Sequence, residues 1–240
     1  MGSGTVFERY EIKYIITEKQ KELIKNGMEK YMAPDKYGRS VIRNIYYDTA
    51  DSRLIRRSNE KPVYKEKLRV RSYKRVESDD ETVFVELKKK YNSVVYKRRT
   101  VLSEKTAAKW LNDGQLPQEQ TQIISEIEYF RRFYGSLVPS AFVSYDREAF
   151  FAVDGSDFRV TFDENISART TDLSLKKDVG GEKLLGNGLV LMELKTHSGI
   201  PLWMTSLLSE NEIYKTSFSK YGTAYRTMIF PEKGEIKNVC

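Results

Sequence analysis

The sequence predicts an α+β fold in which a large, mainly antiparallel β-barrel is flanked by helices. Three observations support this fold class. Six segments alternate apolar with charged residues at a period of two, which is typical of strands with one face on a core. Turn signals such as Gly180-Gly181 and Asn187-Gly188 accompany these segments. Apolar residues at helical spacing are confined to a few other segments.

The first part of the chain contains three alternating segments and one helix. The strands are predicted at residues 10–14, 67–71 and 83–88. Thr17 can cap a helix from Glu18 to about Met32, and Pro34 lies just beyond it. The acidic stretch at residues 77–81 is predicted to be a solvated loop or a hairpin tip.

The remaining elements alternate between helices and strands. Two helices are predicted in the middle of the chain, at residues 103–111 with a stop at Gly114, and at residues 123–134. Three further strands follow at residues 143–147, 158–163 and 192–195. The last two helices are predicted at residues 201–210 and 221–228, the second with Ser219 as its capping residue.

Composition predicts a single domain with an anionic partner. A chain of 240 residues with 40% hydrophobic content can bury one sizeable core, which we place at about residues 7–230 of a domain spanning 1–240. Lys and Arg number 41 against 34 Asp and Glu, so the formal charge is +7. Nucleic acid, an acidic membrane face and small polyphosphates are all compatible with this excess.

Cysteine use and hydropathy predict a cytoplasmic protein with no membrane segment. Cys240 is the single cysteine, so a disulfide or a cysteine-based zinc site within one chain is excluded. No signal-peptide core follows Met1, and no run of about 18 apolar residues occurs.

Charged residues recur on the predicted strands in a more regular pattern than solvent exposure of one sheet face requires. An antiparallel sheet ordinarily turns one charged face to water, and any single strand here fits that description. The set of strands is more unusual, because Glu-x-Lys recurs three times and a spacing of two places both members on one face: Glu11/Lys13, Glu86/Lys88 and Glu193/Lys195. If the sheet closes with these faces inward, the lumen must hold water and anions.

The order of these motifs along the chain resembles a known family. They are Tyr10-Glu11-Ile12-Lys13, Asn44-Ile45-Tyr46-Tyr47-Asp48, Lys67-Leu68-Arg69-Val70-Arg71, Val85-Glu86-Leu87-Lys88, Lys97-Arg98-Arg99, Tyr145-Asp146-Arg147, Arg159-Val160-Thr161, Met192-Glu193-Leu194-Lys195 and Ser217-Phe218-Ser219-Lys220. The series resembles the VTC domain, the polyphosphate polymerase branch of the CYTH or triphosphate-tunnel superfamily. The resemblance covers about residues 7–228.

The resemblance implies a reaction and a set of site residues. ATP would donate its γ-phosphoryl group to a growing inorganic polyphosphate inside a basic tunnel, with Mn²⁺ or Mg²⁺ as cofactor. Glu193 would bind the metal, with Glu11 and Glu86 as further candidates. Translocation of the product would need a separate membrane partner. The phosphate-binding and catalytic residues implied are Lys13, Lys67, Arg69, Arg71, Lys88, Lys97, Tyr145, Arg147, Arg159, Lys195, Ser219 and Lys220.

Some alternatives stay open at the level of sequence. Tyr145 could stack on adenine or donate a hydrogen bond to a phosphate. Arg9 stands where the related CYTH hydrolases have a carboxylate, which favours a polymerase over an inorganic triphosphatase. A non-enzymatic polyphosphate-binding module is a third possibility, and nucleic acid ranks below it because the signatures of nucleic-acid binding are missing. His197 is left out of the site, since a lone histidine at a strand end is more often a surface residue.

Overall fold

Ten strands form one antiparallel sheet in the computed structural model, which describes residues 10–92, 94–197 and 199–231. Each predicted strand is present and runs further toward its C-terminus than predicted, although β8 begins at Arg159 rather than at residue 158. The strands are β1 (Tyr10–Thr17), β2 (Met32–Pro34), β3 (Ser40–Thr49), β4 (Tyr64–Ser72), β5 (Thr82–Tyr91), β6 (Val94–Ser103), β7 (Leu137–Ala152), β8 (Arg159–Arg169), β9 (Glu182–Lys183) and β10 (Leu189–Thr196).

The sheet curls but its backbone does not close. Its strand order is β1-β10-β8-β7-β3-β4-β5-β6, with β2 beside β7 and β9 beside β8. No ladder joins β1 to β6 in the described part of the chain, so the predicted closed barrel is not confirmed. The free edge of β1 is engaged at Lys13, whose carbonyl oxygen accepts a 2.8 Å hydrogen bond from the amide of Thr216. The two ends nevertheless meet through side chains, because Lys88 of β5 lies 2.6 Å from Glu11 of β1.

Four helices begin just after a Ser or Thr that caps them, and three of these caps, Thr17, Ser103 and Ser219, stand at helix starts that the sequence predicts. Thr17, Ser103, Thr121 and Ser219 each accept a hydrogen bond at a helix N-terminus, which satisfies an otherwise unpaired amide. No helix among the described residues is long and apolar enough to cross a membrane. The helices are α1 (Glu18–Met28), α2 (Arg53–Asn59), α3 (Glu104–Asp113), α4 (Gln122–Tyr134), α5 (Leu202–Glu210) and α6 (Lys220–Ala224), which a π-helical turn continues over Tyr225–Ile229.

Two helix predictions need correction. The first helix ends at Met28 rather than near Met32, because residues 32–34 pair with β7 and form the strand β2. Helix α2 was not predicted; its amides at Leu54 and Ile55 donate hydrogen bonds to the buried carboxylate of Asp48. Asp48, which belongs to β3, thus supplies the hydrogen-bond acceptor for the free amides at the N-terminus of α2.

Hydrophobic cores lie on both faces of the curled sheet. One packs the outer face of β4 and β5 against α3 and α4, with Leu68, Leu87, Trp110 and Ile127 fully buried. A second packs the outer face of β8 and β10 against α1 and α5, with Ile24, Phe162, Met192 and Met204 buried. A third core holds α6 on the inner face, where Tyr46 stacks on Tyr221 with ring centroids 4.6 Å apart. The outer cores leave the remaining inner face to charged residues.

Candidate functional site

The alternation of side chains along each strand directs the charged residues inward. On β4, Leu68 and Val70 are buried in an outer core, so Lys67 and Arg69 lie on the opposite, inner face. We call the space bounded by these inner-face charges the lumen. Its lining comprises eleven cations, Lys13, Lys65, Lys67, Arg69, Arg71, Lys88, Lys97, Arg99, Arg147, Lys195 and Lys220, and four carboxylates, Glu11, Glu86, Asp163 and Glu193.

Glu86 organises one group of cations, which we call the Glu86 cluster. Its fully buried carboxylate lies 2.7 Å from Arg69, 2.7 Å from Lys97, 2.6 Å from Arg99 and 4.0 Å from Arg71. Burial alone would raise the pKa of Glu86, but the cations outweigh burial and hold it well below its usual range. One negative charge therefore fixes four positive ones and leaves an excess of cations beside it.

Polar side chains from neighbouring strands fix the arginines of this cluster. Arg71 donates to the side-chain oxygen of Asn44 at 2.9 Å and to the hydroxyl of Tyr145 at 3.1 Å. Arg69 donates to the hydroxyl of Tyr46 at 3.2 Å. Because each guanidinium is held at several nitrogen atoms, its remaining donors keep a fixed direction.

Asp163 and Glu193 form a second group, the Glu193 cluster, with the cations Lys13, Arg147, Lys195 and Lys220. Arg147 donates two 2.6 Å hydrogen bonds to Asp163, and Lys220 donates a third of the same length. Asp163 is fully buried, and these three short contacts occupy both of its oxygen atoms. It therefore positions Arg147 and Lys220.

Glu193 makes only longer contacts with the cations around it. Its oxygens lie 3.4 Å from Lys195 and 3.5 Å from Arg147. The nitrogens of Lys13 and Lys220 are each 3.6 Å away. Burial alone would raise the pKa of Glu193, but the four cations lower it well below its usual range, so the carboxylate is ionised at neutral pH.

Among the four carboxylates described in the lumen, Glu193 is the one best suited to a divalent cation. Among the described residues, no three His, Cys, Asp or Glu side chains group in a way that could hold a metal alone. Mg²⁺ is commonly held by one or two carboxylates together with substrate phosphates, and Mn²⁺ also prefers oxygen ligands. Glu193 fits that chemistry, since no short hydrogen bond occupies its oxygens. Glu86 and Glu11 fit it less well, because they form contacts of 2.7 Å or less with Lys97 and Lys88.

Lys67 lies in a third group, the lysine cluster, together with Lys13, Lys65 and Lys88. Among the described residues, no carboxylate is within ion-pair distance of Lys67. Its ammonium group donates a 2.9 Å hydrogen bond to the hydroxyl of Ser219. Its pKa is lowered to about 7, first by burial and then by the neighbouring cations Lys13, Lys65 and Lys88. An ammonium group in such surroundings gains stability when an anion binds beside it.

The segment that enters α6 completes the lumen. Lys13 donates a 2.6 Å hydrogen bond to the carbonyl oxygen of Phe218, which ties β1 to this segment. Ser219 both caps α6, at 3.1 Å from the amide of Gly222, and accepts the hydrogen bond from Lys67. The next residue, Lys220, reaches the Glu193 cluster.

Arg159 lies at one mouth of the lumen. It pairs with Lys195 in the sheet register and is exposed, with no ion-pair partner among the described residues. A cavity of about 1170 Å³ opens here and is lined by Arg159, Arg147 and Lys195 among others. The lumen is therefore accessible to a large solute from this side.

The structure brings together the residues that the sequence predicted for the site, with Arg159 at the mouth. Their roles in catalysis and binding stay predictions. Five contributors were not predicted as site residues: Tyr46 and Asn44, which hold arginines, Arg99, which shares Glu86, Asp163, which positions Arg147 and Lys220, and Lys65, which neighbours Lys67. A period of two would have indicated Arg99, two residues after Lys97. Arg9 lies outside the described residues.

Comparisons with known proteins agree with this geometry. A model of the VTC domain matches residues 8–229. A candidate adenylyl cyclase from Hippeastrum, reported to have a dominant triphosphatase activity, is 16% identical, with 92% of this chain and 95% of that chain covered and a TM-score of 0.55. A candidate adenylate cyclase from Bacillus halodurans is 12% identical, with 89% and 96% covered and a TM-score of 0.53. At these identities the likeness shows the fold alone. No curated protein matches the chain.

Proposed function

We propose that this chain, which belongs to the VTC domain family, is a metal-dependent polyphosphate polymerase. In this reaction the γ-phosphoryl group of ATP is transferred onto the terminal phosphate of a growing inorganic polyphosphate, and ADP leaves. The lumen holds both the donor and the end of the acceptor chain.

The observation that carries the proposal is the uncompensated positive charge of the lumen. Eleven cations face four carboxylates, and Lys67 has no carboxylate within ion-pair distance among the described residues. A polyanion with closely spaced charges matches such a lining better than a single carboxylate or phosphate does. ATP and polyphosphate are ligands of this kind.

Phosphoryl transfer depends mainly on positioning and on neutralising charge, which is what these residues supply. The arginines of the Glu86 cluster present fixed pairs of donors to phosphate oxygens, as planar guanidinium groups do. Lysines act as mobile point charges, so a chain can advance past Lys67 and Lys88 without losing all its contacts. The terminal phosphate of the acceptor is already anionic, and the reaction therefore needs no strong general base.

Glu193 is the residue that would hold a divalent ion together with phosphate oxygens. Such an ion supplies further neutralisation of charge on the phosphates. Lys220 and Arg147 border the same carboxylate and would hold phosphate oxygens beside it. Arg71 donates a hydrogen bond to the hydroxyl of Tyr145, which supports a role for Tyr145 in fixing that arginine.

The proposal is tested by incubating the pure protein with ATP and Mn²⁺ and by sizing the products on a gel. A polymerase releases ADP and accumulates long polyphosphate, and added short polyphosphate shortens any initial lag because the acceptor is already in place. If orthophosphate is the main early product, or if tripolyphosphate is consumed without chain growth, the triphosphatase alternative replaces the polymerase. Tight binding of polyphosphate without turnover would instead support a binding module.

A further inference from the structure

The outer face of the sheet carries a polar patch beside the core that packs against α3 and α4. On β3, Ile45 and Tyr47 are buried in that core, so Arg43 lies on the same outer face and away from the lumen. The residues paired with Arg43 in the register are Ser72 of β4 and Ser144 of β7. Directly opposed residues of an antiparallel pair share a face, so both serines flank Arg43.

The guanidinium of Arg43 is buried without a partner. Its Nε finds no hydrogen-bond acceptor, although only 8% of the residue is exposed. Among the described residues, no carboxylate is within ion-pair distance of it. Buried polar groups are nearly always hydrogen-bonded, and a buried charge without a partner costs stability. Arg43 would therefore gain stability from an anion beside it.

The segment 172–178, between β8 and β9, is held beside this patch by two further arginines. Arg75 donates to a backbone carbonyl oxygen of the segment at 2.8 Å and contacts the carboxylate of Asp178 at 2.6 Å. Arg169 donates to the carbonyl oxygen of Asp178 at 2.8 Å. Burial lowers the pKa of Arg43, and the charges of Arg75 and Arg169 lower it further, against the opposing charge of Asp178. Positive charge is therefore in excess around Arg43.

The patch can supply a ligand with donors at its solvent side. The side chains of Arg75 and Asp178 are 49% and 82% exposed, and such exposed ion pairs contribute little to stability. An anion could replace the Asp178 carboxylate on Arg75 at low cost. The hydroxyls of Ser144 and Ser167 lie 3.0 Å apart, and one hydrogen suffices for the bond between them. The second hydroxyl hydrogen remains free to be donated to a ligand.

We propose that Arg43, Arg75 and Arg169 form a binding site for a small oxyanion of the orthophosphate class on the outer face of the sheet. Several acceptor oxygens on one compact anion match guanidinium and hydroxyl donors arranged around one point. The sheet lies between this site and the lumen, so an ion bound here contacts no lumen residue. The site does not depend on the reaction in the lumen, and failure of the polymerase assignment would leave it unaffected.

Orthophosphate is the probe for this site. It is titrated into the whole protein at constant ionic strength, while NMR follows the Nε–H signals of the arginines and hydrogen exchange follows the backbone amides. The signal of Arg43 should shift until it saturates. The amides of residues 172–178 should exchange more slowly with solvent, because the bound ion joins this segment to β3.

Two variants and a matched control locate the binding. Arg43→Met and Arg75→Gln should each weaken the effect of orthophosphate on residues 172–178 about tenfold, and change the Kd of tripolyphosphate in the lumen less than about twofold. Arg56→Gln is the control, because Arg56 forms an exposed ion pair with Asp51 outside the patch. It should change neither. Because Arg43 is buried, Arg75→Gln tests the site at an exposed position even if Arg43→Met does not fold.

Three results would overturn the inference. The first is a response to orthophosphate at lumen arginines such as Arg69, with none at Arg43 or at residues 172–178. The second is an equal response to sodium chloride of the same ionic strength, which would indicate general screening. The third is an undiminished response in Arg75→Gln, or an equal loss in Arg56→Gln.

Discussion

Two glutamates of the lumen show how neighbours give one residue type two roles. Glu86 is bound at short distance by Arg69, Lys97 and Arg99, so it serves as an anchor. Glu193 has cations at 3.4 to 3.6 Å and retains oxygen atoms that a metal could use. The difference predicts different consequences of the same substitution.

Glu193→Gln should lower turnover about a hundredfold or more, because it removes the carboxylate that would hold the metal. Binding of polyphosphate should be retained, since the cationic walls remain and one negative charge is lost. Steady-state ADP release and calorimetric Kd measure the two effects. Full activity in this variant would remove Glu193 from the mechanism.

Glu86→Gln is the matched comparison. It leaves four cations without their shared partner, and breaking a buried ion pair costs about 3–5 kcal/mol. We expect a lower Tm and weaker polyphosphate binding together, measured by thermal unfolding and calorimetry. Equal behaviour of the two variants would contradict the distinction between an anchor and a metal ligand.

Lys67 predicts a pH dependence of ligand binding. Its pKa is lowered to about 7 in the ligand-free protein, first by burial and then by neighbouring cations, whereas a bound polyanion raises it. The pKa of Lys195 is lowered to about 8, first by burial and then by Arg147, and a bound polyanion raises it as well. Binding above pH 7 therefore takes up protons, and Kd should increase from pH 7 to pH 9.

Calorimetry in buffers of different ionisation enthalpy measures this proton uptake directly. Lys67→Met removes the titrating group and should reduce both the uptake and the pH dependence. A Kd for long-chain polyphosphate that is constant between pH 7 and pH 9 would show that Lys67 is already charged in the free protein.

At the scale of elements, α6 connects the fold to the site. Tyr221 stacks on Tyr46, and its hydroxyl donates a 2.9 Å hydrogen bond to Asp48 and accepts a 2.8 Å hydrogen bond from the hydroxyl of Ser140. These contacts hold the helix on the inner face and so position Ser219 and Lys220 in the lumen. A small helix thereby supplies residues that no strand provides.

Ser219→Ala should cost about 0.5–2 kcal/mol of stability, as loss of an N-terminal cap does, and should also weaken polyphosphate binding because Lys67 loses its partner. Ser103→Ala is the control, since Ser103 caps α3 in the same way, outside the lumen. Thermal unfolding should show similar losses for the two variants, with reduced ligand affinity in Ser219→Ala alone. Unchanged affinity in both variants would separate Ser219 from the site.

The elements also show what the sequence could and could not predict. The alternation at Lys67, Arg69 and Arg71 was sufficient to place these residues on one face. The short strand β2 was missed because its pairing with β7 is a tertiary contact that local spacing does not contain. For the same reason, the support that Asn44 gives to Arg71 depends on which strands are neighbours.

At the scale of the whole molecule, side chains bring the two ends of the sheet together. The Lys88–Glu11 contact of 2.6 Å joins strands that share no backbone ladder in the described residues. Burial alone would raise the pKa of Glu11, but Lys88 and Lys195 outweigh it and lower the pKa to about 2. The ion pair is therefore intact at neutral pH.

Repulsion among the lumen cations predicts that polyanions stabilise the whole fold. At about 100 times its Kd, a ligand that binds only the native state adds about 2.7 kcal/mol. For a chain of this length that corresponds to about 5–10 °C in Tm. Thermal unfolding with tripolyphosphate should show this increase, and sodium chloride of equal ionic strength should not. Equal shifts with both salts would indicate general screening instead of a specific site.

The fate of the γ-phosphate of ATP distinguishes a polyphosphate polymerase from a phosphatase. The protein is given ATP with a radioactive γ-phosphate and Mn²⁺, the label is followed into orthophosphate and polymer, and the ADP formed is measured separately. A polymerase places one labelled phosphate in long polyphosphate for each ADP formed, with little orthophosphate early in the reaction. Label that appears from the start as orthophosphate, with none in polymer, would contradict the polymerase assignment.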